Sequence, residues 1–187
     1  MKKVLILFIA MVAFAPTQAQ TKAAGVTVPN TMSAEGQKLV LNGVGVREKF
    51  WMDMYAGALY LNAKSSNASE IMSSNQAMAL KIHIVSKLIS SEKMTDAVDE
   101  GFQNATGGKT QSIASEINTF KSYFSEEISK NDVFDIVYVP EVGVTVSKNG
   151  KNKGVIKGLE FKKALFGIWL SEKPADDDLK DAMLGKK

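Results

Sequence analysis

Residues 41–61 read LNGVGVREKFWMDMYAGALYL. Two runs rich in Val, Leu, Phe, Trp and Tyr, at 38–46 and 50–61, carry the composition of buried strands, and the polar triplet Arg47-Glu48-Lys49 falls between them. The stretch therefore predicts a β-hairpin. A hairpin whose strands are this apolar needs a layer to bury against, and the rest of the chain supplies candidates for one.

Upstream, residues 25–32 (GVTVPNTM) read as a short edge strand, because Pro29 lacks the amide donor that a central strand needs. Downstream, SSNASEIMSS at 65–74 places Asn and Ser ahead of Glu70 and predicts a short capped helix. Residues 77–85 (AMALKIHIV) alternate as a strand. Met94, Val98, Phe102 and Ala105 then form one helical stripe, capped by Ser90 or Ser91, with Glu92 against the dipole and Gly107-Gly108 as the stop. Ile113, Ile117, Phe120, Phe124 and Ile128 hold one face and predict a second helix that runs until Asn131-Asp132. Residues 133–139 return to strand, and 142–146 with 155–156 frame a Gly/Asn-rich turn, KNGKNKG. A helix over 159–170 follows, and a last amphipathic helix, PADDDLKDAML, begins near Pro174.

Strands come in hairpins with helices inserted between them, without strict β–α–β alternation. The order predicts an α+β fold in which an antiparallel β-sheet is covered by helices on one face. No repeat, low-complexity tract or linker divides residues 20–187, which read as a single domain.

The chain opens MKKVLILFIAMVAFAPTQAQ: two lysines, an apolar run over 4–14, and small residues before Gln20. That is the layout of a signal peptide, residues 1–19, cut after Ala19. The run is short of the ~20 apolar residues that span a bilayer, so the expectation is an exported, periplasmic bacterial protein with no transmembrane segment after cleavage. An uncleaved anchor is the alternative. The leader carries two of the 23 basic residues and none of the 20 acidic ones, which leaves 21 against 20. A balance so close to neutral gives no case for nucleic acid as a partner. The chain has no cysteine, which removes disulfides, thiolate metal sites and a cysteine nucleophile. Oligomeric state is not legible, and a monomer is the default.

Few residues carry a chemical signature. His83 is the only histidine, with no nucleophile elbow near it and no second imidazole for a metal, and reads as structural. Asp176, Asp177 and Asp178 are explained by the dipole of the helix they begin. KNGKNKG lacks aromatics and reads as a solvated turn, and the glycines of NGVGV precede a strand rather than the helix a dinucleotide loop requires. No metal or cofactor is expected. Arg47 and Tyr55 differ: a planar fork of five donors and a phenol can together form the polar end of an apolar pocket. The competing reading makes Arg47 an exposed turn residue and Tyr55 a core-edge aromatic. Eight residues of extended chain span about 26 Å, so the two converge only if the hairpin reverses between them.

LNGVGVREKFWMDMYAGALYL resembles the N-terminal hairpin of the chalcone isomerase-like family, and FKKALFGIWLSEKPADDDLKDAML (161–184) resembles its C-terminal helical signature, in the family's order and separation. The resemblance covers most of 38–185 and is nearest to the bacterial exported branch. It implies an open-faced β-sandwich with an apolar cleft between a large antiparallel sheet and a helical layer. Plant isomerases of this family close a chalcone to a flavanone and use an arginine to hold the developing oxyanion. The fatty-acid-binding branch uses the matching arginine with a tyrosine to hold a carboxylate. Arg47 matches the arginine, and Tyr55 matches the tyrosine, at a position where the isomerases carry threonine. Where the plant enzymes place a substrate-contacting tyrosine and asparagine, this chain has Ser90 and Ala97. The connection between Arg47 and Tyr55 is also shorter.

The resemblance thus implies a non-catalytic ligand-binding protein that holds a small amphipathic carboxylate, such as a fatty acid, by Arg47 and Tyr55. Phe102, Phe120 and Phe124 are candidates to line the cleft, with core packing as their alternative. The second reading is an isomerase, an intramolecular lyase acting on a chalcone-like phenolic enone, with Arg47 as the catalytic residue. A third is an interaction module with a filled core and no cavity behind Arg47.

Overall fold

A computed structural model describes residues 20–187, so the leader expected at 1–19 lies outside the described residues. β1 (Gln20–Ala23) and β2 (Val26–Pro29) pair as a separate ribbon. β3 (Thr31–Ala34), β4 (Gln37–Lys49), β5 (Met52–Leu61), β6 (Met78–Ile84), β7 (Val133–Val139), β8 (Gly143–Lys148) and β9 (Lys151–Ile156) form one curled antiparallel sheet in chain order. Among the described residues five α-helices accompany it: α1 (Ala68–Ser73), α2 (Ser91–Thr106), α3 (Ala114–Ser122), α4 (Leu159–Leu170) and α5 (Asp177–Met183).

Strand alternation sorts the sheet's side chains into two layers. Leu59, Leu80, Ile82, Phe134, Ile136 and Val146 face the helices and join Phe102, Phe120, Phe161 and Leu165 in the main core. The opposite face carries Ala58, Tyr60 and Ala79 into a smaller cluster with Val28, Ala34 and Leu39. Tyr60 donates its hydroxyl to the Pro29 carbonyl at 2.8 Å, which ties the β1–β2 ribbon to this second face. The expected α+β fold, an antiparallel sheet with helices on one face, is the fold observed.

α4 is the central helix. From Phe161 to Leu170 only Lys163 escapes burial, as a run this apolar requires. α2 lies close against it because Gly101 and Gly167 have no Cβ: one at Gly101 would stand 2.8 Å from an Ile168 methyl, and one at Gly167 would stand 2.9 Å from Ala105 Cβ. Lys162 is wholly buried within α4, and its ammonium donates to the carbonyls of Ile71, Met72 and Ser74 at 3.0, 2.9 and 2.7 Å. It closes the C-terminus of α1, while burial pulls its pKa down to about 8.

Several local expectations are corrected. The single edge strand at 25–32 is two strands, broken at Asn30 after Pro29, and only the second belongs to the main sheet. The helix expected through Ile128 ends at Ser122. The next turn tightens to i→i+3 bonds from Tyr123, Phe124 and Ser125, and Tyr123 packs its hydroxyl where a Cβ of Gly154 would be. Phe124 and Ile128 stay buried without helical backbone. KNGKNKG contains a turn of only Asn149-Gly150, both at positive φ, with Lys148 ending β8 and the remaining residues opening β9. Most consequential, Arg47-Glu48-Lys49 is not the connection between β4 and β5. The three residues belong to β4, and the turn is Phe50-Trp51.

Candidate functional site

The hairpin reverses at Phe50-Trp51, and this brings Arg47 and Tyr55 directly opposite each other as cross-strand partners. The guanidinium carbon lies 5.8 Å from the centre of the Tyr55 ring. Both side chains face the helical layer, on the same side as Gly43, Gly45, Gly57 and Leu59. Arg47 is half-buried strand, which excludes the exposed-turn reading.

The glycines explain how the hairpin meets that layer. A Cβ at Gly43 would sit 2.0 Å from the Ala182 carbonyl oxygen, one at Gly45 2.6 Å from Ala182 Cβ, and one at Gly57 2.5 Å from Met183 Cε. Gly45 and Gly57 are themselves cross-strand partners, so the three form a flat seat on which α5 rests. Asn42, at the β-bulge beside them, is buried and donates to the carbonyls of Met183 and Ser65 at 2.7 and 2.9 Å, while its own carbonyl accepts from Ser65 N–H at 2.9 Å. NGVGV is therefore a docking platform for the C-terminal helix, and the segment leading into α5 is held beside Arg47. Arg47 Nε–H reaches the Ala175 carbonyl at 3.5 Å, the limit of a hydrogen bond. Among the described residues Arg47 has no carboxylate partner, so most of its fork remains available.

Tyr55 is buried, and its oxygen accepts the indole N–H of Trp169 at 2.8 Å. Burial raises the phenol above its ordinary pKa of 10.0, against the lowering effects of the Arg47 charge and the Trp169 bond, and Asp176 adds to the rise. The phenol therefore keeps its proton near neutrality and can donate it. Asp176 itself caps α5, accepting from Leu179 N–H at 2.8 Å, while Asp177 and Asp178 occupy the first turn.

Beside this pair opens a cavity of about 380 Å³, within the ~300–1,000 Å³ typical of small-ligand sites. β4 and β5 supply one wall with Arg47, Met54 and Tyr55; α2 supplies Met94, Ala97 and Val98; α4 supplies Ile168 and Trp169. The rim carries exposed charge, Lys93, Asp96 and Glu100 from α2 and Lys49 from β4. An apolar interior with a cation and a phenol at one point can hold a small anionic or carbonyl oxygen and bury a hydrocarbon body. The same donors could hold an oxyanion that forms during a reaction.

The other candidates fall elsewhere. Phe102, Phe120 and Phe124 are 0–2 % exposed, pack edge-on or tilted with Phe134 and Phe161, and do not line the cavity. Ala97 lines it, while Ser90 is the N-cap of α2. His83 lies between Ala56 and Val133 on the face away from the helices, where burial and then Lys81 lower its pKa. Among the described residues no cluster of His, Asp and Glu could hold a metal ion, and no helix is long and apolar enough to cross a membrane.

Trp169 and the glycine seat were not singled out from sequence. A signal was present for Arg47: it is the only arginine, and every other basic residue is a lysine. Lysine lacks the planar fork, so a lone arginine in a lysine-rich chain marks a position where that geometry matters.

No match to the chain was found among curated proteins. Among solved structures, the crystal structure of an Arabidopsis thaliana fatty-acid binding protein matches with a TM-score of 0.68 at 18% sequence identity, covering 87% of this chain and 93% of that one. At that identity the likeness is one of fold. The model of the family described as chalcone isomerase-like matches residues 20–185, and with nearly all of the described residues inside that match, the chain belongs to the chalcone isomerase-like family.

Proposed function

We propose that this protein is a non-catalytic, exported binder of a small amphipathic carboxylate, with a fatty acid as the leading candidate. Arg47 pairs with the carboxylate, and the Tyr55 hydroxyl donates a second hydrogen bond. The carrying observation is the cross-strand pairing of Arg47 and Tyr55 at an apolar cavity, with the tyrosine oxygen already oriented by Trp169. A charge-assisted hydrogen bond in such a place contributes about 1.5–3 kcal/mol, and the buried hydrocarbon supplies the rest of the affinity. The fatty-acid binding protein of the same fold supports the reading. So does the match of Tyr55 to the tyrosine of the binding branch.

Native mass spectrometry of the purified protein, beside Arg47→Ala, tests it. A co-purified or added long-chain acid should ride on the wild type, and the variant should bind it about 10- to 100-fold more weakly. If neither form takes up fatty acids, the carboxylate reading fails. Turnover of a chalcone above the spontaneous rate would instead favour the isomerase reading. Export is tested by fractionating cells that make the full chain: a product lacking residues 1–19 in the envelope is the expected result.

A further inference from the structure

The turn that corrects the expected hairpin has a chemistry of its own. Phe50 and Trp51 are the two central residues between the paired Lys49 and Met52, and both have positive φ, 54° and 61°. This is the geometry of a type I′ turn, for which Asn-Gly is preferred because bulky residues are disfavoured in the left-handed region. Here two of the largest side chains occupy it and turn outward. Trp51 is 96% exposed and Phe50 73%, with Met52 and Leu88 next to them in the exposed apolar set. Burial gains little from that arrangement, and strain held at an exposed position points to use of the side chains.

Cations lie among these apolar groups. Lys49 Nζ stands 5.7 Å from the centre of the Phe50 ring, and Lys93 Nζ donates to the Leu88 carbonyl at 3.1 Å, with exposed Lys87 adjoining. The nearest hairpin carboxylates, Glu48 and Asp53, oppose each other one pair farther back from the tip. From the tip inward the order is aromatic, cation, anion, then Arg47 and Tyr55. Phe50, Met52, Leu88, Lys49 and Lys93 also line the cavity, so the patch and the cavity mouth are continuous.

We propose that the Phe50-Trp51 tip, with Met52 and Leu88, is a membrane-surface anchor that seats the cavity mouth on a phospholipid bilayer. Exposed Trp and Phe backed by lysines are the composition of interfacial anchors, with the rings among the acyl chains and glycerol groups and the ammonium groups at the phosphates. A two-residue turn, the first residue of β5 and one loop residue present much less than the ~800 Å² per partner of a stable protein interface, whereas a fluid bilayer takes up a convex tip. The docking stands without the ligand assignment. What it would load, an amphipathic acid drawn from the bilayer past Phe50 towards Arg47, rests on the function proposed above.

The purified protein is titrated with vesicles of phosphatidylcholine, with and without phosphatidylglycerol, and followed by sedimentation and by quenching of tryptophan emission with brominated lipid. Trp169 is buried and Trp51 exposed, so quenching reports the tip. Wild type should partition onto vesicles, more strongly with phosphatidylglycerol. Trp51→Gly suits the turn, and Trp51 does not line the cavity; the variant should partition roughly tenfold more weakly while binding dissolved fatty acid as before. Arg47→Ala should lose fatty acid and keep vesicle binding, so the two proposals fail separately. Absence of wild-type partitioning, or partitioning untouched by Trp51→Gly, overturns the anchor. Self-association that depends on Trp51, without vesicle binding, overturns it in favour of a protein contact.

Discussion

Trp169 donates its indole N–H to the hydroxyl of Tyr55 at 2.8 Å, joining α4 to β5 across 114 residues of chain. The bond occupies an acceptor site of the phenol oxygen and leaves its proton for a ligand. Trp169→Phe should keep the fold and weaken the fatty-acid binding proposed above about 3- to 10-fold, since the phenol is freed to rotate. Trp169 lowers the Tyr55 pKa, so the variant should also raise it further, seen as a later tyrosine transition in ultraviolet titration. Unchanged affinity and titration would remove Trp169 from the site.

This contact also marks where sequence reading stops. α2 and α4 were legible because a Met94–Val98–Phe102 stripe with caps, and an unbroken apolar run, are local patterns that packing then confirms. The same logic overran α3: Phe124 and Ile128 keep helical spacing, but they are buried by a turn that folds Tyr123 over Gly154, which only the tertiary structure brings near. Arg47 and Tyr55 were legible as a chemical pair. Their convergence required a two-residue turn, and Phe-Trp is the opposite of what turn chemistry predicts. Gly43 and Gly45, two apart in a strand, signalled a close approach, yet nothing local says that α5 makes it.

The glycine seat gives an ordered series. At Gly43 the obstacle to a Cβ is the backbone carbonyl of Ala182, at Gly45 the short Ala182 side chain, and at Gly57 the far end of flexible Met183. Loss of stability should therefore run Gly43→Ala, then Gly45→Ala, then Gly57→Ala, from about 3 kcal/mol down to about 1 kcal/mol. Denaturant unfolding measures the order. Gly43→Ala should also expose amides of α5 to hydrogen exchange, because the Asn42 bond to Met183 breaks with the seat.

Lys162 predicts an alkaline signature. Its pKa falls from 10.5 to about 8 on folding, so between those values the unfolded chain holds more protons and stability rises with pH. The rise is at most about 3 kcal/mol. Above pH ~10 it is opposed by Tyr55, Tyr60, Tyr123 and Tyr138, whose pKa values are raised in the fold and whose ionisation favours unfolding. The informative window is therefore pH 8 to 10, read by urea midpoints. Lys162→Met should flatten it. The same variant should lose about 2–4 kcal/mol at neutral pH, because three carbonyls that close α1 are left without their donor.

Replacing Phe50-Trp51 by Asn-Gly separates stability from use. Both native residues sit at positive φ, which costs an L side chain about 1–2 kcal/mol each, and Asn and Gly reduce that cost in a type I′ turn. The tip buries little, with Trp51 96% exposed, so few contacts are lost. The double variant should unfold at a higher urea concentration, by about 1–2 kcal/mol in stability, with an unchanged m-value. A loss of stability instead would mean that the two rings hold the hairpin together, and their exposure would then need no external partner to explain it. A gain would mean that the chain keeps a strained aromatic turn at the cavity mouth against its own folding free energy, as an anchor requires.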